Sequence, residues 1–309
     1  MQVISSKDNE IVKNIRKLKE KKYRDLSNCY VIEGIKLLKE AIEENAKIKQ
    51  IVICDDCEKN GTLDKKLLYE IAKYNCIYVT EKVFNILTDV ANPQGVLAVI
   101  EKENNLTEIN WNEDLILILD NLQDPGNLGT ILRTADSANL KQIIVSKKCG
   151  DIYNPKVVRA TMGAIFRVKV LESENLAETI KEIQKHKFTV LATDLKESKS
   201  IYEESYNKTA VVIGNEANGV EEEILELADR KIKIPMLRKN RKLKCFCCNR
   251  NNNLWIYKAK IEIKKVEKWE KIWKEITKHM EKSLKKEEET EAEKEQNIEC
   301  LKNKENQLN

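Results

Sequence analysis

The sequence predicts an α/β protein whose C-terminal half is built on a mostly parallel sheet. Three observations carry this. Short apolar runs such as LILIL, QIIVS and TAVVI lack polar alternation and end in turns. Strands buried on both faces read this way. Segments of helical periodicity separate them, as crossover helices do, and loops bearing glycine and asparagine follow several of the runs.

Taken in order, the chain opens with a helical pattern through IVKNIRKLKEKKYR, then strand CYVIEG, helix IKLLKEAIEEN and strands KQIVIC and CIYVTE. Helix KVFNILTDV and strand GVLAVIEK complete a small α/β domain over residues 1–104. The polar segment KENNLTEINWNED has no period and reads as a linker near Glu101 to Asp114. A second domain, 113–258, follows: strand LILILD, helix LGTILRTADSANL, strands QIIVS and FRVKVLES, helix LAETIKEIQKHK, strands FTVLATD and TAVVIGN, helix VEEEILELAD and strand RKIKIPM. In the remainder, 259–309, Val266, Trp269, Trp273, Ile276 and Met280 form one apolar stripe on an otherwise charged helix. The last residues are too polar to bury a core and read as disordered.

With 309 residues, the length suits two domains and a tail. No apolar run is long enough to span a bilayer, and the N-terminus lacks the apolar core of a secretory signal, so a cytoplasmic protein is expected. Nine scattered cysteines then read as reduced thiols without disulfides. The net charge is only +4, but the first 25 residues concentrate Lys and Arg in KNIRKLKEKKYR. A basic helix ending near Tyr23 suits contact with phosphates, and a solvated helix surface explains it as well.

In such sheets ligands gather beyond the carboxyl ends of the strands. Three loops stand out there. In LDNLQDPGNLGTILRTADSANL, Asp124, Pro125 and Gly126 make a turn, Asn127 is placed to cap, and Arg133 lies inside the helix. In VVIGNEANGVEEEIL, Gly214 ends a strand, with Glu216 and Gly219 before the next helix. The third loop is KIPML. The G-x-G-x-x-G spacing of a nicotinamide dehydrogenase is absent from the first of them.

Together these loops resemble the SpoU/TrmH class of SPOUT RNA 2′-O-ribose methyltransferases. Motif N-x-G-x-x-x-R-x-A is met by Asn127, Gly129, Arg133 and Ala135, and G-N-E-G-x-G by GNEANG with Ala217 in place of a glycine. DIYNPKVVRATMGAIFRVKV is similar to the family's R-x-S/T-x-G-A-x-F segment, and the first hundred residues resemble its ribosomal-protein-like substrate-binding domain. The resemblance implies a trefoil-knotted α/β domain, S-adenosyl-L-methionine as donor, no metal, and a homodimer with the active site at its interface. It implies RNA as substrate, 23S rRNA first and tRNA as the alternative. Asn127, Arg133 and Glu216 would be catalytic, and Thr193, Gly214, Ile234 and Met236 would hold the cofactor. Arg133 would serve either as a general base or as a stabiliser of the developing oxyanion.

After Ile234-Pro235-Met236 the family pattern G-x-x-x-S-L-N-V-S-V-A should follow, but the chain gives RKNRKLKCFCCNRNNNLW. C-x-C-C with no histidine nearby is poor zinc spacing. Codons that encode Arg238 to Trp255 exist whose reading one base later gives GKTESLNVSVATGIIIY. A single-nucleotide frameshift after Leu237 therefore accounts for the stretch, and two further readings stay open beside an active enzyme. One is a catalytically impaired RNA-binding protein that retains the substrate-binding domain; the other is a nucleotide-binding enzyme unrelated to RNA. Sequencing the gene from Arg238 to Trp255 is expected to return codons that read S-L-N-V-S-V-A one base later; any other codons remove the frameshift.

Overall fold

A five-stranded mixed sheet and a seven-stranded parallel sheet carry most of the chain. The computed structural model describes residues 3–233 except 60, 62, 104–105, 195–198, 201–207 and 216. Glu216, Ile234, Met236, the stretch after Leu237 with the expected knot crossing, and the tail lie outside the described residues.

The first sheet contains β1 (Val3–Ile4), β2 (Cys29–Glu33), β3 (Ile48–Cys54), β4 (Cys76–Val79) and β5 (Val96–Glu101), in the order β1-β4-β3-β5-β2. Strand β5 runs antiparallel to β2 and β3, and the other pairs are parallel. Helices α1 (Glu10–Lys17), α2 (Lys21–Ser27), α3 (Ile35–Glu43), α4 (Asp55–Lys59), α5 (Lys65–Ile71) and α6 (Glu81–Leu87) surround it. Val52, Val79 and Leu97 of the sheet pack against Val12 and Ile15 of α1 and Phe84 of α6. The two-residue β1 and the short helices α4 and α5 are not expected from the sequence, because elements of this length hardly display a period.

The basic segment, expected as one helix, is two. Arg24 Nη1 donates to the carbonyls of Leu18 and Lys19, 2.7 Å each. A continuous helix would give those carbonyls to the amides of Lys22 and Tyr23. One buried guanidinium thus ends α1 and sets the start of α2.

The second sheet contains β6 (Leu115–Leu119), β7 (Gln142–Ser146), β8 (Lys169–Ser173), β9 (Thr189–Thr193), β10 (Lys199–Ser200), β11 (Thr209–Ile213) and β12 (Arg230–Lys233). The order is β10-β12-β9-β11-β6-β7-β8, with every pair parallel. Helices α7 (Pro125–Ser137), α8 (Pro155–Thr161), α9 (Leu176–Lys185) and α10 (Glu222–Leu227) connect the strands. Ile116, Ile118, Val190 and Val212 pack with Ile180, Ile183 and Ile224 of α9 and α10. Leu117, Leu119, Ile143 and Val145, of opposite parity, are equally buried, so both faces are covered. Helix α8 is not expected from the sequence, and a 3-10 turn at Ala164–Phe166 delays β8 to Lys169.

The segment expected as a polar linker is fastened to this second sheet. Leu106 N donates to Val170 O at 2.8 Å, and the Gln142 side chain makes two hydrogen bonds to the backbone of Asn110. Ile109 is buried in the core, and Trp111 stacks on His186 at 3.7 Å between ring centres. Its polar residues hide a few anchoring apolar ones, which is why composition alone suggests a tether.

The direction in which successive strands are added reverses within the sheet. Strands β6, β7 and β8 step one way, and β9 begins on the other side with β11 inserted next to β6. An order of this kind predicts a crevice beyond the carboxyl ends of β6 and β11.

Helices α7 and α8 meet closely at Gly129. A Cβ there would stand 2.4 Å from Ala160 Cβ and 2.8 Å from Val157 O. The glycine of the N-x-G-x-x-x-R pattern thus serves helix packing. Gly129→Ala gains up to about 1 kcal/mol of helix propensity but overpacks a backbone contact, which costs about 1–3 kcal/mol. Denaturant unfolding is expected to show net destabilisation; a more stable variant would contradict the packing role.

Candidate active site

The end of β6 is held by its neighbours on both sides. Asp120 is fully buried; its amide donates to Ile213 O at 2.8 Å, and its Oδ2 accepts from Glu221 N at 2.9 Å, just ahead of α10. Asn121 adopts φ +52°, a left-handed conformation to which asparagine is suited. Its amide donates to Ser146 Oγ of β7 at 3.0 Å, and its carbonyl accepts from Asn215 Nδ2 at 2.9 Å. Three neighbouring strands are therefore tied at one end.

The loop after β11 closes on itself. Asn215 and Gly219 exchange two backbone hydrogen bonds of 2.9 Å, and Asn215 Oδ1 accepts from the amides of Ala217 and Asn218. A Cβ on Gly214 would lie 2.1 Å from Gly219 C and Val220 N. Only glycine lets the loop fold back this tightly. Ala217 replaces a family glycine without difficulty, because it lies exposed at the tip of the loop.

The loop after β7 braces the same strand end. Cys149 Sγ accepts from Leu122 N at 3.3 Å and donates to Leu119 O at 3.2 Å, and Gly150 N donates to Leu122 O at 2.8 Å. Burial pushes the Cys149 thiol above its ordinary pKa, so it acts here as a neutral hydrogen-bonding group. Lys148 pairs with Glu221, adding a surface tie between the β7 and β11 loops.

Helix α7 starts at Asp124, whose Oδ1 accepts from Asn127 N at 2.8 Å. The cap is therefore Asp124, and the expectation that Asn127 caps is corrected: Asp124 precedes Pro125, whose fixed φ suits the first helical position. Asn127 lies in the first turn, near the strand ends. Arg133 lies six residues further, about 9 Å along the axis, on the face shared by Gly126, Thr130 and Ser137. It is exposed and forms no ion pair with a described residue. Thr193 ends β9 and is buried, without a hydrogen-bond partner for its hydroxyl among the described residues.

Of the residues singled out in the sequence, Thr193 and Gly214 fall at strand ends, Asn127 lies in the first turn of α7 and Arg133 two turns further along it, and Glu216, Ile234 and Met236 lie outside the described residues. Asn215, Ser146 and Cys149 were not singled out. Asn215 lies inside the quoted GNEANG and could have been found as the asparagine that follows a strand-ending glycine. Nothing in the sequence marks Cys149.

Burial pushes the Asp120 carboxyl above its ordinary pKa, against the opposing pull of the Glu221 amide. A carboxyl raised in the folded state holds its proton more tightly there than in the unfolded chain. Its contribution to stability is present at low pH and is lost as pH rises from the ordinary carboxylate range through the raised value. Across denaturant unfolding from about pH 4 to pH 8, the stability of the wild type relative to Asp120→Asn is expected to fall and then level off. A difference that rises with pH would reverse the assignment.

Comparison with known proteins gives a consistent set of likenesses. A family model described as the SpoU rRNA Methylase family matches residues 114–243, and one described as the MRM3-like substrate binding domain matches residues 9–98. The chain is 30% identical over 238 residues to the 23S rRNA (guanosine(2553)-2′-O)-methyltransferase RlmP of Bacillus subtilis, covering 76% of this chain and 91% of the relative. It is 34% identical over 173 residues to the mitochondrial rRNA methyltransferase 3 of Xenopus laevis, covering 54% of this chain and 40% of that one. Among solved structures, an rRNA methyltransferase from Sinorhizobium meliloti is similar with a TM-score of 0.71 and 29% identity over 84% of this chain and 96% of its own. An AdoMet-bound structure of rRNA methyltransferase from the same organism gives 0.68 and 28%, over 84% and 97%.

Proposed function

The chain belongs to the SpoU rRNA methylase family, and on that footing we propose that it transfers a methyl group from S-adenosyl-L-methionine to a ribose 2′-OH of RNA, with 23S rRNA as the substrate. The observation that carries the reading is the convergence of the β6, β7 and β11 loops, fixed by Asp120, Asn121 and Asn215, at the point where strand order reverses.

The donor fits the residues present. Thr193 offers a buried hydroxyl without a described partner at the end of β9, and Gly214 gives a loop with no side chain at its base. When bound there, S-adenosylmethionine supplies an electrophilic methyl on a sulfonium. Thr193 and the backbone of the Gly214 loop would hold and orient it, with Ile234 and Met236, outside the described residues, as the further cofactor-binding residues of this reading. The requirement for a 2′-OH selects RNA over DNA.

A ribose hydroxyl is a weak acid, so its oxygen gains charge as it takes the methyl group and its proton passes to solvent water. Arg133 is a cation at any working pH and is not engaged by a described carboxylate. Its guanidinium donates hydrogen bonds to the developing oxyanion, while Asn127 and Glu216 orient the ribose and the arginine. Arg133 lies about 12 Å down α7 from its start, so the reading includes a homodimer in which Arg133 of one protomer serves the strand ends of its partner. Residues 1–104 dock RNA through the basic face of α1 and α2, residues 113–258 form the methyltransferase domain, and the enzyme works in the cytoplasm. No helix among the described residues is long and apolar enough to cross a membrane.

The family match ends at residue 243, six residues beyond Leu237, in keeping with a frameshift there. Titration calorimetry of the full chain with S-adenosylmethionine is expected to show saturable binding. Arg133→Ala is expected to lower methyl transfer to 23S rRNA by about 10²–10³-fold with RNA affinity nearly intact. No donor binding, with RNA binding retained, would leave an RNA-binding protein without catalysis; loss of RNA affinity in the variant would make Arg133 a docking residue.

A further inference from the structure

Arg24 joins the two sheets at a place that bears on the proposed site. It belongs to α2, between the half-buried Tyr23 and the paired Asp25, yet is itself 2% exposed. Its Nη1 serves the turn between α1 and α2, and the rest of its fork leaves the first sheet: Nε at 3.0 Å and Nη2 at 2.5 Å both reach Asp151 Oδ2. Asp151 spends its other oxygen on Tyr153 N at 2.9 Å, directly before the cap of α8.

From Asp151 the contacts run without a gap to the strand ends. Gly150, its neighbour, donates to Leu122 O, and a Cβ at Gly150 would stand 3.1 Å from Gln123 O. Leu122 follows Asn121, whose carbonyl holds Asn215 of the β11 loop. A polar cavity of about 70 Å³ opens beside this path, lined among others by Lys21, Asp25, Lys102, Ser146 and Asp151. On the side of that cavity Gly150 and Asp151 are held by hydrogen bonds, to Leu122 and from Arg24, while Ile152 and Tyr153 beyond them are buried. From the side of the first sheet the loop is also reached by the Tyr30 ring and the Lys102 ammonium, each 4.8 Å from the centre of the Tyr153 ring, but Arg24 is the group bonded to Asp151, next to Gly150.

The outer side of α2 carries the groups suited to RNA. Lys22 is exposed, and Lys17 and Lys22 place ammonium groups 5.8 and 5.9 Å from the centre of the Tyr23 ring. A phosphate or base engaged there loads a seven-residue helix whose inward anchor is Arg24.

We infer that Arg24 is a positioning residue for methyl transfer: through Asp151 and Gly150 it makes the order of the β6 end respond to the seating of RNA on α2. This rests on the functional reading above. Coupling of this kind runs through contiguous hydrogen bonds and is read by local protection of backbone amides.

The test is hydrogen exchange on the full chain with and without purified 23S ribosomal RNA, in the wild type, Arg24→Gln and Asp151→Asn. In the wild type, RNA is expected to slow exchange of the Leu122 and Gly150 amides at least about fivefold. In each variant that slowing is expected to vanish while RNA affinity stays within about threefold of wild type; a purely structural bond would raise exchange equally with and without RNA. Arg24→Lys, which keeps the charge and loses the fork, is expected to retain less than half the slowing and stands in if Arg24→Gln does not fold. Slowing that persists in the variants, or that is absent in a wild type that binds RNA, overturns the proposal. A wild type that binds no RNA overturns the functional reading, and the proposal with it.

Discussion

The buried carboxylate of Asp120 is the constraint on which the site's geometry depends. It sits where β6 stops and accepts the amide of Glu221 from beyond β11. Burying a carboxylate is unfavourable, and the hydrogen bonds from the Glu221 amide and the Ser146 side chain, with the charge of nearby Lys148, offset only part of that. The remaining cost is tolerable because the two strands it joins are paired along their full length, from Thr209 with Leu115 to Ile213 with Leu119. Sheet pairing fixes the strand ends, and Asp120 converts that alignment into a fixed loop. Asn121 and Asn215 complete the closure with neutral groups, so the crevice gains shape without a second buried charge.

Two arginines join the sheets, and they differ in kind. Arg167 reaches Asp136, Glu40 and Glu44 while about a third exposed, and those carboxylates hold its guanidinium well above the ordinary range, the hydrogen bond it donates to Asp136 first. Solvent screens such a cluster, so it contributes little stability beyond orientation. Arg24 and Asp151 are almost wholly buried, with side chains 3% and 11% exposed. Removing one partner there leaves a buried charge unpaired, a loss of about 3–5 kcal/mol. The Lys102 ammonium, bonded to Asp25 and 4.8 Å from the Tyr153 ring centre, reinforces the same side of the junction. The rigid seam is thus the one beside the β7 loop.

How much of this was legible in the sequence follows from the range of each interaction. Strands β6, β7, β9 and β11 were readable because a strand buried on both faces must be apolar throughout, and the helices between them because their periods are long enough to see. Gly214 was legible as a strand-ending glycine. The break between α1 and α2 was not, because its cause is a guanidinium folding back on carbonyls five and six residues away. The linker misled for the same reason: Gln142 and Val170, which fasten it, lie far along the chain. Arg133 is recognised through the family motif, and the six-residue step from Asn127 along one helix, about 120° apart around its axis, sets the two on different faces.

The motif residues also divide by the physics that requires them. Gly129 and Gly214 are needed because a backbone or a helix passes within van der Waals contact of where a side chain would begin. Asn127, Arg133 and Thr193 are not required in this steric way, since each position already accommodates a side chain. A short pattern therefore mixes residues that build the scaffold with residues that face a ligand. The test that separates them is whether the protomer's own contacts already explain the residue. For Arg133, an exposed cation that forms no ion pair with a described residue, the described contacts do not, which is what a residue facing a ligand requires.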